Sequence, residues 1–336
     1  MKQHGQAIPR AWLRILRAGM MGCFLLSRLV FAAGPTGLTF VTQDGTYLAG
    51  DYAVEPGDAP GALVIFAHGH HEGRNVFYGY MQTGNPQSIT QVGTATMTID
   101  YRDDQGFPIL QGAYDLIYAA RWALLKWPSI QKITLFGASM GGATSGTAIS
   151  ELARPENATL LNGKVFNNWI DVSGVSLLSE TALQASLFMP GAVTEIRRDF
   201  QATGDSSYTR RSPAMNAGKM KAAGLQQVAI VHARYDGLVT YDQAGQMKLA
   251  LGGAAIPASL DTLTCASNQA PAGATLFDDA GTVVPSPLAT LGAQVFMLLE
   301  GCNLVMQRLA GHVISARSDN PAMNAGIQVL RAVLGQ

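Results

Sequence analysis

The chain has 336 residues, 23 basic and 23 acidic side chains and hence zero formal net charge. With 48% hydrophobic and 14% charged residues it can bury a large core, and nothing in its charge points to a polyanion such as nucleic acid as partner. The length is long for a typical domain but within reach of a single α/β domain carrying insertions.

Lys2, Arg10, Arg14 and Arg17 form a basic leader ahead of the mostly apolar stretch from Ala18 to Ser27, and Val30-Phe31-Ala32-Ala33 offers small residues for cleavage. Residues 1–33 therefore read as a signal peptide, against the alternative of a retained amphipathic helix. Residues 34–336 are the expected mature domain, periplasmic or secreted. Arg28 interrupts the apolar run, which falls short of the roughly 20 residues a spanning helix needs, so no stable membrane span is expected in the mature chain. Cleavage would remove Cys23 and leave Cys265 and Cys302. They are an expected disulfide in an oxidising compartment, with two unrelated buried thiols as the alternative.

Leu38 to Thr42 and Tyr47 to Val54 flank Gln43-Asp44-Gly45, an Asp-Gly signal for an antiparallel hairpin. Ala62 to Ala67 reads as a buried strand, and Thr94 to Asp100 as the next. Tyr114 to Lys126 carries helical spacing at Leu116, Ile117, Ala120, Leu124 and Leu125, ended by Trp127-Pro128. Lys132 to Phe136 is a short strand running into a helix from Gly141. Val165 to Val172 and Gln227 to Ala233 complete the expected strands. Strands alternating with helical patterns imply a mostly parallel sheet with helices on both faces.

Residues 177–225, between two core strands, form a possible cap, with a surface helical pair as the alternative. Residues 250–291, rich in Ala, Gly, Pro and Thr, are expected as an irregular loop or small hairpin. Pro213-Ala214-Met215-Asn216-Ala217-Gly218 recurs as Pro321-Ala322-Met323-Asn324-Ala325-Gly326, and Ser212 and Asn320 precede the two prolines as expected helix caps.

The chemistry concentrates in four places. Gly137-Ala138-Ser139-Met140-Gly141 lies between strand and helix, where a Gly-x-Ser-x-Gly turn exposes its serine above a sheet. Arg234-Tyr235-Asp236-Gly237-Leu238-Val239 follows a strand. Leu309-Ala310-Gly311-His312 precedes the last helical segment, and His68-Gly69-His70-His71-Glu72-Gly73 follows the strand ending at Ala67. On these motifs, and on the chain order Ser139, Asp236, His312, the sequence from roughly residue 38 to 336 resembles the α/β-hydrolase-fold serine hydrolases, a group of esterases, lipases and dienelactone hydrolases.

The resemblance implies an α/β-hydrolase fold with an N-terminal antiparallel hairpin, and a carboxylic ester hydrolase as the expected activity. Serine peptidase and thioesterase are alternatives on the same residues, and a non-catalytic binding protein is the alternative from another class. Ser139 would be the nucleophile, His312 the general base and acid, and Asp236 its orienting carboxylate. The backbone amides of Met140 and His70 would form the oxyanion hole, with the His71 amide as the alternative to His70 and the His71 side chain at the substrate entrance. Asp171 is the rival acid, one strand earlier. His232 reads as a packed core histidine, and Arg197, Arg198, Arg210 and Arg211 as a solvated face. His68, His70, His71 and Glu72 lack a recognisable metalloenzyme spacing, so no metal is expected there. No cofactor is implied; the expected partner is a small ester or acyl substrate.

Overall fold

The computed structural model describes residues 33–263, apart from 87, 103–105, 189, 235 and 237, together with 312–313 and 320–336. Residues 1–32 of the expected signal peptide, and both Cys265 and Cys302, lie outside the described residues.

Eight strands form one sheet in the order β1-β2-β4-β3-β5-β6-β7-β8. They are β1 (Thr36–Val41), β2 (Tyr47–Ala53), β3 (Ala62–Ala67), β4 (Thr94–Ile99), β5 (Lys132–Ala138), β6 (Asn168–Val172), β7 (Gln227–Ala233) and β8 (Ala258–Leu263). β1 pairs antiparallel with β2 around the Asp-Gly turn, and β2 antiparallel with β4; every later pairing is parallel.

Side chains alternate across each strand, and this divides the core into two layers. Leu63 and Ile65 of β3 face one side with Met97, Ile133 and Leu135. That side is covered by α1 (Ile109–Lys126) and α2 (Met140–Glu151), whose Leu116, Ile117, Met140 and Ala143 pack into it. Val64 and Phe66 face the other side with Phe136, Val172 and Val231, under Ile327 and Leu330 of the last helix.

Local chemistry explains most boundaries. α1 begins at Ile109, five residues before the expected start, and stops at Lys126 because Trp127 precedes a proline and is held out of helical backbone, at ψ 84. α2 is buried along its whole length. Its small residues permit that, and its hydroxyls turn inward: Thr144 donates to the Met140 carbonyl at 3.0 Å and Ser145 to the Gly141 carbonyl at 2.7 Å.

Between β6 and β7 lie α3 (Leu178–Phe188) and α4 (Pro190–Thr203), followed by short helical turns. Arg210 binds the buried Glu151 of α2 in a fork, at 3.0 and 2.8 Å, and fully buried Arg211 pairs with Asp199 of α4. These two arginines therefore fasten the segment between β6 and β7 instead of forming a solvated face.

After α5 (Tyr241–Gly253) the chain enters β8. The first part of the segment expected to be irregular from residue 250 is thus the end of a helix and the parallel edge strand. The last helix, α6 (Pro321–Leu334), is capped by Asn320, whose side chain accepts from the Met323 amide at 2.9 Å. Ser212, the other expected cap, acts differently: its hydroxyl accepts from the Leu178 amide at 2.9 Å and so binds the start of α3.

Candidate active site

Ser139 stands between the end of β5 and the first turn of α2, with φ 54 and ψ −121. This is a strained conformation for a residue with a Cβ, and the glycines around it explain how the turn closes. A Cβ on Gly137 would lie 2.7 Å from the Gly141 carbonyl carbon, and one on Gly141 would lie 2.6 Å from the His68 carbonyl oxygen. Only hydrogen fits at either position, so the sequence requirement is steric.

His312 joins Ser139 to Asp236. Its Nδ1 is 2.8 Å from Asp236 Oδ2 and its Nε2 is 2.9 Å from Ser139 Oγ. An ionised carboxylate only accepts, so Nδ1 carries the proton and the bare Nε2 accepts from the serine hydroxyl. Asp236 is fixed by more than the histidine: its Oδ1 accepts from the Leu238 and Val239 amides at 2.9 and 3.0 Å. Burial would raise its pKa, but electrostatic interaction with His312 and hydrogen bonding from His232 and His312 outweigh this. The carboxyl is held well below its ordinary range and stays ionised.

The loop after β3 faces the same place. His68 is buried, its Nδ1 2.9 Å from the Gly69 carbonyl, with its ring stacked on Tyr101 at 4.2 Å between centroids. The Gly69 amide donates to Glu72 at 2.8 Å, which closes the turn. His70, Ser139 and Met140 then line one cavity of about 60 Å³ whose other walls include Phe107, Val175 and Leu238. The segment between β6 and β7 supplies Thr181, Gln184, Ala185 and Ala192. The lining is mainly apolar around the Ser139 hydroxyl, the composition expected of a small-molecule site.

No protein-family model and no curated protein matches the chain. Solved structures do. A propionate-bound esterase, Est2, from Thermogutta terrifontis aligns over 90% of this chain and 94% of its own, with a TM-score of 0.56 and 18% identity. Acylaminoacyl peptidase from Pyrococcus horikoshii aligns over 71% of this chain with a TM-score of 0.52 and 17% identity. The chain matches only 38% of the length of that peptidase.

The chain has the α/β-hydrolase fold.

Ser139, His312 and Asp236 come together; Asp171 does not join them. It is the next-to-last residue of β6, fully buried against the backbone of Gly142 and Gly174. Burial pushes its carboxyl up to about 7, the nearby His232 opposing. His71 packs beside His70, with ring centroids 4.0 Å apart, and the residues lining the cavity include His70 and not His71. Burial, aided by the neighbouring imidazoles, pushes His70 down to about 3, so its ring is neutral.

Two residues near the site were not assigned to it from sequence. Glu195 of α4 approaches His70 Nε2 at 2.7 Å. Its only sequence signal is its place on the inner face of an amphipathic helix, beside Ile196 and Asp199. His232 was expected as core packing and is fully buried, but its Nε2 also lies 3.4 Å from Asp236 Oδ2. A histidine four residues before an acid at a strand end was the available clue.

Among the described residues, no helix is long and apolar enough to cross a membrane.

Proposed function

We propose that this chain is a serine hydrolase that cleaves small carboxylic esters through an acyl-enzyme on Ser139. The observation that carries the reading is His312 standing 2.9 Å from Ser139 Oγ and 2.8 Å from Asp236, at the wall of a narrow apolar cavity.

In this mechanism Ser139 Oγ attacks the ester carbonyl while its proton passes to His312 Nε2. The imidazolium that results is stabilised by ionised Asp236, which also holds the ring in the required tautomer. Charge developing on the carbonyl oxygen is met by the amides of Met140, at the N-terminus of α2, and of His70. Collapse of the tetrahedral intermediate expels the alcohol, which takes the proton from His312. A water then repeats the sequence against the acyl-enzyme and frees the acid.

The small cavity supports a short acyl group, because Val175, Ala185, Ala192 and Leu238 close around the space beyond Ser139. Support for an ester comes from the likeness to the esterase, which aligns over nearly the whole of both chains. The basic and apolar leader supports export to the periplasm or beyond, which the mass of the mature chain from expressing cells would test.

The deciding experiment is hydrolysis of a p-nitrophenyl ester series, from acetate to long acyl, by the mature chain and by Ser139→Ala. Turnover that is highest on short esters and abolished in the variant is expected. Turnover that persists in Ser139→Ala, or no turnover on any ester, would overturn the reading.

A further inference from the structure

The contact between the loop after β3 and α4 has a chemistry of its own. His70 Nε2 lies 2.7 Å from Glu195 Oε2, and His71 Nε2 lies 3.6 Å from Glu195 Oε1. One donor atom from each of the three residues falls within 4.8 Å of the others. His71 has φ 54, a left-handed backbone. In extended backbone successive side chains point to opposite sides; the turn at His71 instead brings two successive imidazoles to one carboxylate.

The approach of His70 is short, yet it lies off the hydrogen-bonding direction. Both His70 ring nitrogens are buried, and neither makes a hydrogen bond among the described residues. A buried polar atom in that state calls for an explanation, and a missing ion is one. A cation between the imidazole and the carboxylate would satisfy the His70 nitrogen that faces Glu195.

We propose that His70 Nε2, His71 Nε2 and the Glu195 carboxylate form a binding site for zinc or a similar divalent transition metal, fastening the loop after β3 to α4. Two imidazoles and one carboxylate suit such a metal, whereas magnesium and calcium want oxygen ligands throughout. Ligand atoms about 2.1 Å from a tetrahedral zinc stand about 3.4 Å apart. The pair of His71 and Glu195 already has nearly that spacing. His70 approaches the other oxygen of the same carboxylate, so for one oxygen to serve as ligand beside both imidazoles the carboxylate would turn, and a fourth position would then remain for water. The sequence pointed away from a metal because the acid that completes the set lies on another element. Of the cluster read from sequence, His68 and Glu72 are engaged with Gly69 instead.

The site requires no role for Ser139, so its test is independent of the esterase proposal. Chelator-stripped protein would be dialysed against zinc, and titrated with cobalt(II) as a spectroscopic probe. One zinc per chain is expected, with cobalt giving the intense visible bands of a four-coordinate site. His71→Ala and Glu195→Gln should each weaken binding at least about tenfold, a loss that even outer-shell changes at metal sites can cause. Ser139→Ala and a Cys265→Ser/Cys302→Ser double variant should bind as the wild type does. His71 is half-exposed, so His71→Ala keeps the test valid if Glu195→Gln fails to fold. No binding, or binding that survives His71→Ala or disappears with the cysteines, would overturn the proposal.

Discussion

His232 Nε2 donates to the Val239 carbonyl at 2.8 Å and lies 3.4 Å from Asp236 Oδ2, the same oxygen that meets His312. Asp236 therefore sits between two imidazoles, and His232 braces the turn from 236 to 239 at both the carboxylate and the backbone. We expect His232→Leu to lower kcat about tenfold, about 1.4 kcal/mol of barrier, while leaving KM within about twofold. His232→Gln, which retains a donor, should recover part of the loss. Steady-state kinetics on a short p-nitrophenyl ester would check this, and an unchanged kcat in His232→Leu would show that the brace is only structural.

The two buried carboxylates near the site should separate cleanly. Asp236→Asn leaves the shape but favours the wrong His312 tautomer, so kcat should fall about 10⁴-fold. Asp171→Asn should leave kcat within a few-fold, because Asp171 does not meet His312. If Asp171→Asn proves as damaging as Asp236→Asn, the assignment of the acid is wrong.

Asp171 should instead appear in stability. Its folded pKa of about 7 lies above the ordinary value of 3.8. Between those values the folded state holds a proton that the unfolded chain has released, so stability falls as pH rises from about 4 to 7 and the penalty then stays constant. Full burial, only partly offset by His232, makes this penalty a few kcal/mol, since each tenfold change in proton affinity is worth about 1.4 kcal/mol. Urea unfolding at pH 5 and pH 8 should show Asp171→Asn gaining on the wild type at the higher pH. A constant difference between the two proteins at both pH values would contradict it.

The turn at Ser139 yields a steric prediction. Gly141→Ala places a Cβ 2.6 Å from the Ala67 carbonyl carbon, where only backbone could yield, whereas Gly79→Ala meets nothing within 4 Å. Overpacking of this kind costs about 1–3 kcal/mol or more. Thermal unfolding should therefore show a drop of several degrees for Gly141→Ala and almost none for Gly79→Ala. Equal melting temperatures would mean the elbow is looser than its contacts suggest.

This motif was readable because its constraint is local. Five consecutive residues between a strand and a helix carry the whole steric requirement, and Asp236 and His312 are marked by strand ends and chain order. Glu195 was not readable, because its meeting with His70 depends on how α4 lies over the loop after β3. Arg211 looked like a surface charge because its partner Asp199 lies twelve residues earlier on another helix, and burial there follows from packing. β8 was hidden by Ser259, Asp261 and Thr262, which belong to a half-exposed edge strand and read as loop.

The roles of backbone and side chain at His70 can be separated. If its amide, and not its ring, meets the developing oxyanion, His70→Ala keeps the donor. It loses the contact with Glu195 and part of the cavity wall, so kcat should fall no more than about tenfold. Ser139→Ala, which removes the nucleophile itself, should leave less than about one part in 10⁴. The 10²- to 10³-fold loss typical of deleting one oxyanion donor lies between these outcomes. A His70→Ala variant in that intermediate range, with its melting temperature unchanged, would mean that the imidazole contributes directly to the transition state and that the second donor must be sought elsewhere in the loop.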